Sequence, residues 1–210
     1  MREQIIESIN TRGYWVSELN NSYNDFMEII SYIGEPLLEN DIIIDNTKST
    51  RLFSPKGMDF HTDHILANYI AWYCIKQSNS GGESLLIDSK SILNNLEIID
   101  IKNLLRIKIR CPNVIKNGNS YYNLLTHNDT GEYMIYYAPW LIEELESPEL
   151  LKSYNNFLKI LHAPKLVTKI LLSPGQFLII NNNRVMHGRG ELPVNTNRHL
   201  KRIWISHKHE

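Results

Sequence analysis

Two histidines and an aspartate lie close together in the segment MDFHTDHI, as His61, Asp63 and His64. A neutral imidazole and a carboxylate suit Fe(II), which binds mixed nitrogen and oxygen ligands. Because the chain has eight histidines and 23 acidic residues, about one His-x-Asp/Glu triplet is expected by chance. A second such triplet, HND, begins at His127. The first triplet therefore predicts a metal site only together with a further ligand elsewhere in the chain.

The periodicity of a β-strand indicates which of these side chains could share a metal ion. If the segment enters a strand, alternation places His61 and Asp63 on one face and His64 on the other. A third ligand would complete a facial triad that leaves positions open for substrate and dioxygen. We expect this ligand to be His187, which follows an apolar strand in the segment FLIINNNRVMHGR.

Short strand-like segments dominate the chain and must position these residues. They are rich in β-branched and aromatic residues and are separated by turn signals such as NSGG, NGNS, NDTG and SPGQ. The segments are GYWVSEL, YIAWYCIK, LRIKIRC, SYYNLLT, EYMIYYA, LVTKILL, QFLIIN and RHLKRIWIS. Helical spacing and capping signals predict helices over about 26–33, 89–98 and 147–161. This mainly β pattern with flanking helices (α+β) favours a sandwich or jelly roll.

Length, charge and cysteine content restrict the class of protein. The chain has 210 residues and 42% apolar content, which predicts a single domain over residues 1–210. We expect an N-terminal strand–helix segment at about 1–45 and a jelly-roll core at about 46–206. The net charge of -1, with both signs interspersed, argues against nucleic-acid and membrane partners. Two cysteines without a disulfide framework, and no signal-peptide or membrane-span pattern, predict a cytoplasmic protein. The oligomeric state stays open.

Three segments in sequence order resemble the iron(II)- and 2-oxoglutarate-dependent oxygenases of the taurine dioxygenase and clavaminate synthase-like superfamily. They are FHTDH, then GGESLLIDS, then SPGQFLIINNNRVMHGRGELPVNTNRHLKRIWIS. The resemblance covers roughly residues 50–205. It implies a double-stranded β-helix, which is a jelly roll with the metal between its two sheets. It also implies that His61, Asp63 and His187 bind Fe(II).

The same resemblance implies roles for three further residues. Arg198 matches the arginine that pairs with the distal carboxylate of 2-oxoglutarate, and its planar guanidinium suits a carboxylate. Ser84 matches a hydroxyl residue that assists it. Arg202 matches a second arginine that in several members holds an anionic group of the substrate. The chain departs from many members at His64, where they carry a small or apolar residue.

The activity implied by the resemblance is hydroxylation of an unactivated carbon in a small, anionic, amino-acid-like substrate, with 2-oxoglutarate and dioxygen consumed, in a secondary-metabolism setting. Hydroxylation is expected ahead of desaturation. One alternative is a metal-free jelly-roll module in which the same residues form a polar recognition patch. Another is a cupin-like metal-binding jelly roll without 2-oxoglutarate-dependent activity, which leaves Arg198 without a role.

Other polar residues have structural interpretations. The triplet at His127 lies beside a turn signal, where Asn and Asp favour local backbone hydrogen bonds. His207 and His209 lie in a charged C-terminal segment and are expected to be solvated. Arg184 and Arg189 flank His187 and could equally form structural ion pairs.

Overall fold

Thirteen strands and five α-helices form the described part of the chain. The computed structural model describes residues 2–18, 21–45, 51–112, 114 and 120–207. Most of the turn NGNS expected at 117–120, and His209, lie outside these ranges. The strands are β1 Tyr14–Val16, β2 Glu35–Ile43, β3 Met58–His61, β4 Tyr69–Lys76, β5 Ser84–Asp88, β6 Lys108–Arg110, β7 Tyr121–Asn123, β8 Leu125–His127, β9 Tyr133–Ile135, β10 Thr168–Ile170, β11 Phe177–Asn181, β12 Val185–Arg189 and β13 His199–Ser206. The helices are α1 Arg2–Arg12, α2 Tyr23–Ile33, α3 Ser89–Leu93, α4 Ile98–Leu104 and α5 Pro148–Leu161.

Two antiparallel sheets form the centre of the fold. The larger sheet has the strand order β1-β11-β4-β13-β2, and the smaller one has the order β10-β5-β12-β3. Two short hairpins, β6-β7 and β8-β9, complete the described β-structure. This arrangement is the double-stranded β-helix, or jelly roll, that was expected.

Alternation along the strands divides the side chains between an inner core and two outer ones. On β4, Ile70 and Trp72 face the interior between the sheets, while Ala71 packs against the N-terminal helices. On β12, Val185 joins the inner core and Met186 the outer core of the smaller sheet. Because side chains alternate along a strand, His187 faces inward with Val185.

Helices cover the outer faces of both sheets. α1 and α2 pack on the larger sheet, and α3, α4 and α5 on the smaller one. Ser22 caps α2 in a reciprocal capping box with Asp25. Ser147 caps α5, with Pro148 in its first turn. The helices predicted over 26–33 and 147–161 are therefore confirmed, because their capping signals satisfy backbone groups that would otherwise lack partners.

Several elements differ from the sequence-based expectation. The helix predicted over 89–98 ends early, as α3 at Leu93, and the next helix, α4, begins at Ile98. The Asn95 side chain donates to the carbonyl of Ser91, so it competes with continuation of the helix. Helix α1 and strands β2 and β12 were not predicted. β2 carries Pro36 yet forms a strand, because it is the edge strand beside β13 and an edge tolerates proline.

No helix within the described ranges combines the length and the apolar character needed to cross a bilayer.

Candidate metal centre

The three predicted ligands meet between the two sheets. His61 Nε2 lies 3.9 Å from Asp63 Oδ1, and His187 Nε2 lies 3.9 Å from Asp63 Oδ2. Potential ligand atoms of all three residues lie within 4.8 Å of one another. Two donors bonded to one divalent ion at about 2.1 Å each are at most about 4.2 Å apart. The distances to the carboxylate therefore fit one small cation held by the three side chains, so this donor set suits iron.

Two strands and a turn place these side chains. His187 on β12 lies opposite His61 on β3 in the antiparallel register. β3 ends at His61, and Asp63 belongs to the turn that follows. The alternation was expected only if the segment formed a strand, and the strand ends before Asp63, although His61 and Asp63 do face the same site. Side-chain hydrogen bonds, rather than strand pleating, fix the carboxylate.

Asn182 anchors the turn that carries Asp63. Its side chain is almost fully buried. Its Oδ1 accepts from the backbone N–H of Asp63 at 2.9 Å, and its Nδ2 donates to the carbonyl of Ala67 at 2.8 Å and to that of His64 at 3.3 Å. Because an amide side chain offers both donors and an acceptor, Asn182 satisfies three backbone groups of the turn at once.

The protonation states favour metal binding. His61 Nδ1 lies 2.8 Å from the carbonyl of Asp59, which can only accept, so Nδ1 carries the proton and Nε2 offers its lone pair. Burial lowers the pKa of His61 and, helped by the neighbouring His61, lowers the pKa of His187 to about 3. Both rings are therefore neutral near pH 7. Burial opposes ionisation of Asp63, but the charge of Arg202, helped by the hydrogen bond from Trp204, holds its pKa below the usual value.

Two side chains on β13 donate hydrogen bonds to the Asp63 carboxylate. Arg202 Nη1 lies 3.1 Å from each carboxylate oxygen, and Trp204 Nε1 donates to Oδ2 at 2.9 Å. The Arg202 guanidinium is buried, and its Nε has no hydrogen-bond partner among the described residues. Its expected contact with an anionic substrate group stays a prediction, because the hydrogen bonds that Arg202 makes within the described ranges go to Asp63.

A small cavity adjoins the two histidines and is lined by Arg198, Arg202 and Ser84. Arg198 is 3% exposed, and its Nε donates to Gln77 Oε1 at 3.2 Å. Gln77 is itself fixed by donation to the carbonyl of Leu172 at 2.9 Å. Burial, and then the charge of Arg189, lower the pKa of Arg198 to about 10, so it stays cationic near neutrality.

The glycine pair before β5 makes room for this arginine. Gly82 has a φ of +73°, which L side chains rarely adopt. A Cβ on Gly82 would lie 2.4 Å from a side-chain atom of Leu192 and 3.3 Å from Cδ of Arg198. The pair therefore forms a turn that lets the chain approach Arg198 closely. This agrees with the turn signal NSGG in the sequence.

A second recess opens beside the triad. It shares His61, Asp63 and Arg202 with the centre, and Trp140 and Leu52 line its wall. Trp140 is 54% exposed, and its ring centroid lies 5.2 Å from that of His61. Arg202 lines both this recess and the inner cavity. It is therefore the cation at the boundary between them.

Arg189 ties the wall of these cavities to the ligand strand. Its guanidinium donates to the backbone carbonyls of Leu52, Ser54 and Lys56. It lies two residues after His187 on the same strand. Its role in the structure is therefore to hold the segment 52–56. Arg184, by contrast, pairs with Asp88 and with carbonyls at the end of α1.

The other histidines lie outside the triad. His64 stacks on Trp204 at 5.9 Å between ring centroids, and its Nδ1 accepts from the N–H of Leu66. His127 packs on Tyr133 in the β8-β9 hairpin, as its turn signal predicts, and lines a separate polar groove. His207 is exposed, as expected.

Sequence reasoning missed Trp204, Asn182 and Gln77. Trp204 could have been found, because it lies two residues after Arg202 and so shares its face of the strand. Asn182 and Gln77 carry no such signal, since their importance depends on segments that are distant in sequence.

The sequence matches the family model described as "Taurine catabolism dioxygenase TauD, TfdA family" over residues 24–204. All six predicted site residues lie within this range. A curated relative, the 3-((Z)-2-isocyanoethenyl)-1H-indole synthase of Fischerella ambigua (strain UTEX 1903), is 27% identical. That match covers 79% of this chain and 69% of the relative.

Solved structures share the fold. Asparagine oxygenase in complex with Fe(II), (2S,3S)-3-hydroxyasparagine and succinate has a TM-score of 0.78 and 12% identity, covering 99% of this chain and 79% of its own. The non-heme iron oxygenase OrfP with Fe, succinate and (3S)-hydroxy-L-Arg has a TM-score of 0.76 and 14% identity, covering 98% and 79%. OrfP has also been solved with Fe and alpha-ketoglutaric acid. Since the family model matches well over half of the chain, this protein belongs to the taurine catabolism dioxygenase TauD, TfdA family, within the superfamily of iron(II)- and 2-oxoglutarate-dependent oxygenases that its sequence resembles.

Proposed function

We propose that the chain hydroxylates an unactivated carbon of a small, amino-acid-like anion, with Fe(II) held by His61, Asp63 and His187 and with 2-oxoglutarate as cosubstrate. The observation that carries this proposal is the buried triad, whose two neutral histidines and ionised carboxylate converge beside a cavity that contains a buried cation. When bound, iron supplies the activation of dioxygen coupled to decarboxylation of 2-oxoglutarate. The match over 24–204 supports one oxygenase domain.

The cavity beside the triad suits a short dicarboxylate. Arg198 would hold the distal carboxylate, because its Nε is fixed by Gln77 and its remaining N–H donors can form a bidentate pair. Ser84 lines the same cavity and would add a hydrogen bond. Trp72 and Leu200 provide apolar walls that limit water around the ligand. Low water content strengthens the charge pair.

Arg202 is the group proposed to meet the substrate. It lies at the boundary between the inner cavity and the outer recess, and its Nε lacks a partner among the described residues. A buried guanidinium with unused donors favours an anionic ligand. The solved relatives bound to hydroxylated asparagine and hydroxylated arginine support a substrate carboxylate. The exposed ring of Trp140 would then contact the rest of the substrate.

Substrate class is tested by release of succinate. The protein, supplied with Fe(II) and 2-oxoglutarate, is incubated with free amino acids and their N-substituted derivatives, and succinate and oxygen consumption are measured. We expect substrate-dependent succinate from one or more members that carry a carboxylate. Iron binding without any succinate formation would instead support the cupin-like alternative.

The role of Arg202 is tested with the substrate found in that screen. Arg202→Ala should raise the Michaelis constant for that substrate by about 10-fold or more, because it removes a charge-assisted hydrogen bond worth about 1.5 to 3 kcal/mol. The methyl ester of the same substrate should show a similar loss with the wild-type enzyme. An unchanged Michaelis constant in Arg202→Ala would contradict this role.

Desaturation is the second candidate reaction. The curated relative is named for a product with an ethenyl group, so a carbon–carbon double bond is formed or retained in its product. Mass spectrometry of the product separates the two outcomes, since hydroxylation adds one oxygen atom and desaturation removes two hydrogen atoms. We expect hydroxylation rather than desaturation, because the solved structures of asparagine oxygenase and OrfP, at 12% and 14% identity, contain hydroxylated amino acids.

We also propose a cytoplasmic location. Both cysteines, Cys74 and Cys111, are free and buried, which is typical of proteins from a reducing compartment.

A further inference from the structure

Asp63 is the one predicted ligand that no strand holds in place. It lies in the turn after β3, whereas His61 and His187 lie in paired strands. A carboxylate can present either oxygen to a metal, and its outer-shell hydrogen bonds determine which one it presents. Trp204 Nε1 donates to Asp63 Oδ2 at 2.9 Å. We infer that Trp204 is a positioning residue that orients the Asp63 carboxylate for metal binding, an inference that rests on the proposed function.

The chemistry of an indole suits this task. Its N–H is a donor and cannot accept a hydrogen bond or bind the metal. It is also neutral, so it leaves the charge of Asp63 available to the cation. One carboxylate oxygen can therefore face the metal while Trp204 satisfies the other.

The Trp204 ring is itself held on several sides. Trp204 is 7% exposed and lies in β13, where it pairs with Ile70 of β4 and Leu38 of β2. His64 stacks on the ring with an interplanar angle of 27°, and Arg202 lies over it with Cζ 5.3 Å from the centroid. A side chain fixed by two strands and two ring contacts keeps its N–H in one direction.

His64 is fixed in turn by its own hydrogen bonds. Its Nδ1 accepts from the N–H of Leu66, so Nε2 carries the proton and donates to the carbonyl of Pro112 at 3.2 Å. The residue at position 64 thus orients Trp204, which orients Asp63. These contacts give a structural role to His64, the residue at which the chain departs from the family pattern.

Arg202 contacts the same carboxylate but is suited to a different task. It lines both cavities and has an Nε without a described partner, so it can turn toward a bound anion. Trp204 donates from its only polar atom to Asp63 and lines neither cavity. When Arg202 engages a ligand, Trp204 is the donor that still holds Asp63.

The test is the metal affinity of Trp204→Phe. Phenylalanine keeps an aromatic ring next to His64 and Arg202 but lacks the N–H. Titration calorimetry with Mn(II) as a stand-in for Fe(II) should show a dissociation constant about 10 to 100 times higher than that of wild type, the loss that removal of an outer-shell partner produces. Thermal unfolding of the metal-free protein shows whether the variant is folded. Trp15→Phe, in the outer core against Phe177, is the matched control and should bind Mn(II) as wild type does.

A second variant separates the N–H from the shape of the ring. Benzothienylalanine incorporated at position 204 keeps the bicyclic ring and replaces N–H with sulfur, so it should weaken Mn(II) binding as Trp204→Phe does. If wild type binds Mn(II) and both variants bind it equally well, the inference is overturned while the proposed function stands. If wild type binds neither Mn(II) nor Fe(II), the proposed function fails and the inference fails with it.

Discussion

Replacing His187 with alanine is expected to abolish specific iron binding and, with it, succinate formation from 2-oxoglutarate. His187 is one of three donors, and its ring is neutral because burial lowers its pKa to about 3. Loss of a direct ligand should exceed the roughly 10- to 100-fold loss in affinity that follows removal of an outer-shell partner. We therefore expect the Fe(II) dissociation constant, measured anaerobically by calorimetry, to rise more than about 100-fold. His61→Ala and Asp63→Ala should behave in the same way.

His127→Ala is the control for this prediction. His127 lies in the β8-β9 hairpin and is not part of the cluster of potential ligands. This variant should keep the wild-type affinity for iron and the wild-type rate of succinate formation. Retention of wild-type iron affinity in His187→Ala would show that a different donor completes the site.

Arg198→Ala is expected to weaken binding of 2-oxoglutarate more than about 100-fold. Removing one partner of a buried charge pair costs about 3 to 5 kcal/mol, and Arg198 is 3% exposed. The dissociation constant for 2-oxoglutarate, measured on the iron-loaded protein without oxygen, gives the result directly. Arg198→Lys keeps a cation but lacks the planar pair of donors, so its affinity should lie between those of wild type and Arg198→Ala.

Arg202→Ala and Arg12→Ala complete the comparison. Arg12 is exposed near the end of α1, and its loss should leave 2-oxoglutarate binding unchanged. Arg202→Ala should mainly affect the substrate. If Arg198→Ala binds 2-oxoglutarate normally and Arg202→Ala does not, the two proposed roles are exchanged.

The strands and capped helices were predictable because local patterns determine them. β4 spans the segment YIAWYCIK that alternation and β-branched content predicted. α5 begins at the expected cap, Ser147 followed by Pro148. β2 was missed because Pro36 suggested a break in the chain's regular structure. β2 is an edge strand, where a residue without a backbone N–H donor is tolerated. β12 was missed because its polar and glycine residues, in VMHGR, lack the usual strand composition.

The site was predictable to the extent that residue type determines chemistry. His61, Asp63 and His187 were chosen from the sequence and lie together in the structure. The argument for the first two depended on a strand through Asp63, whereas β3 ends at His61 and the segment after it orients Asp63. The contact of Asn182 with this turn was not predictable, because 119 positions separate Asn182 from Asp63.

The hydrogen bonds of Arg189 determine the direction from which the centre can be reached. Arg189 lies on the same strand as His187. Opening the segment 52–56 would require its buried guanidinium to release the carbonyls of Leu52, Ser54 and Lys56. Such an opening would disturb the metal ligand itself. The side bounded by Trp140 has no comparable clamp described, and its ring is 54% exposed. Substrate entry and product exit are therefore expected to pass beside Trp140. The segment 52–56, held by Arg189, would then keep the metal ligands in place while the wall at Trp140 opens and closes.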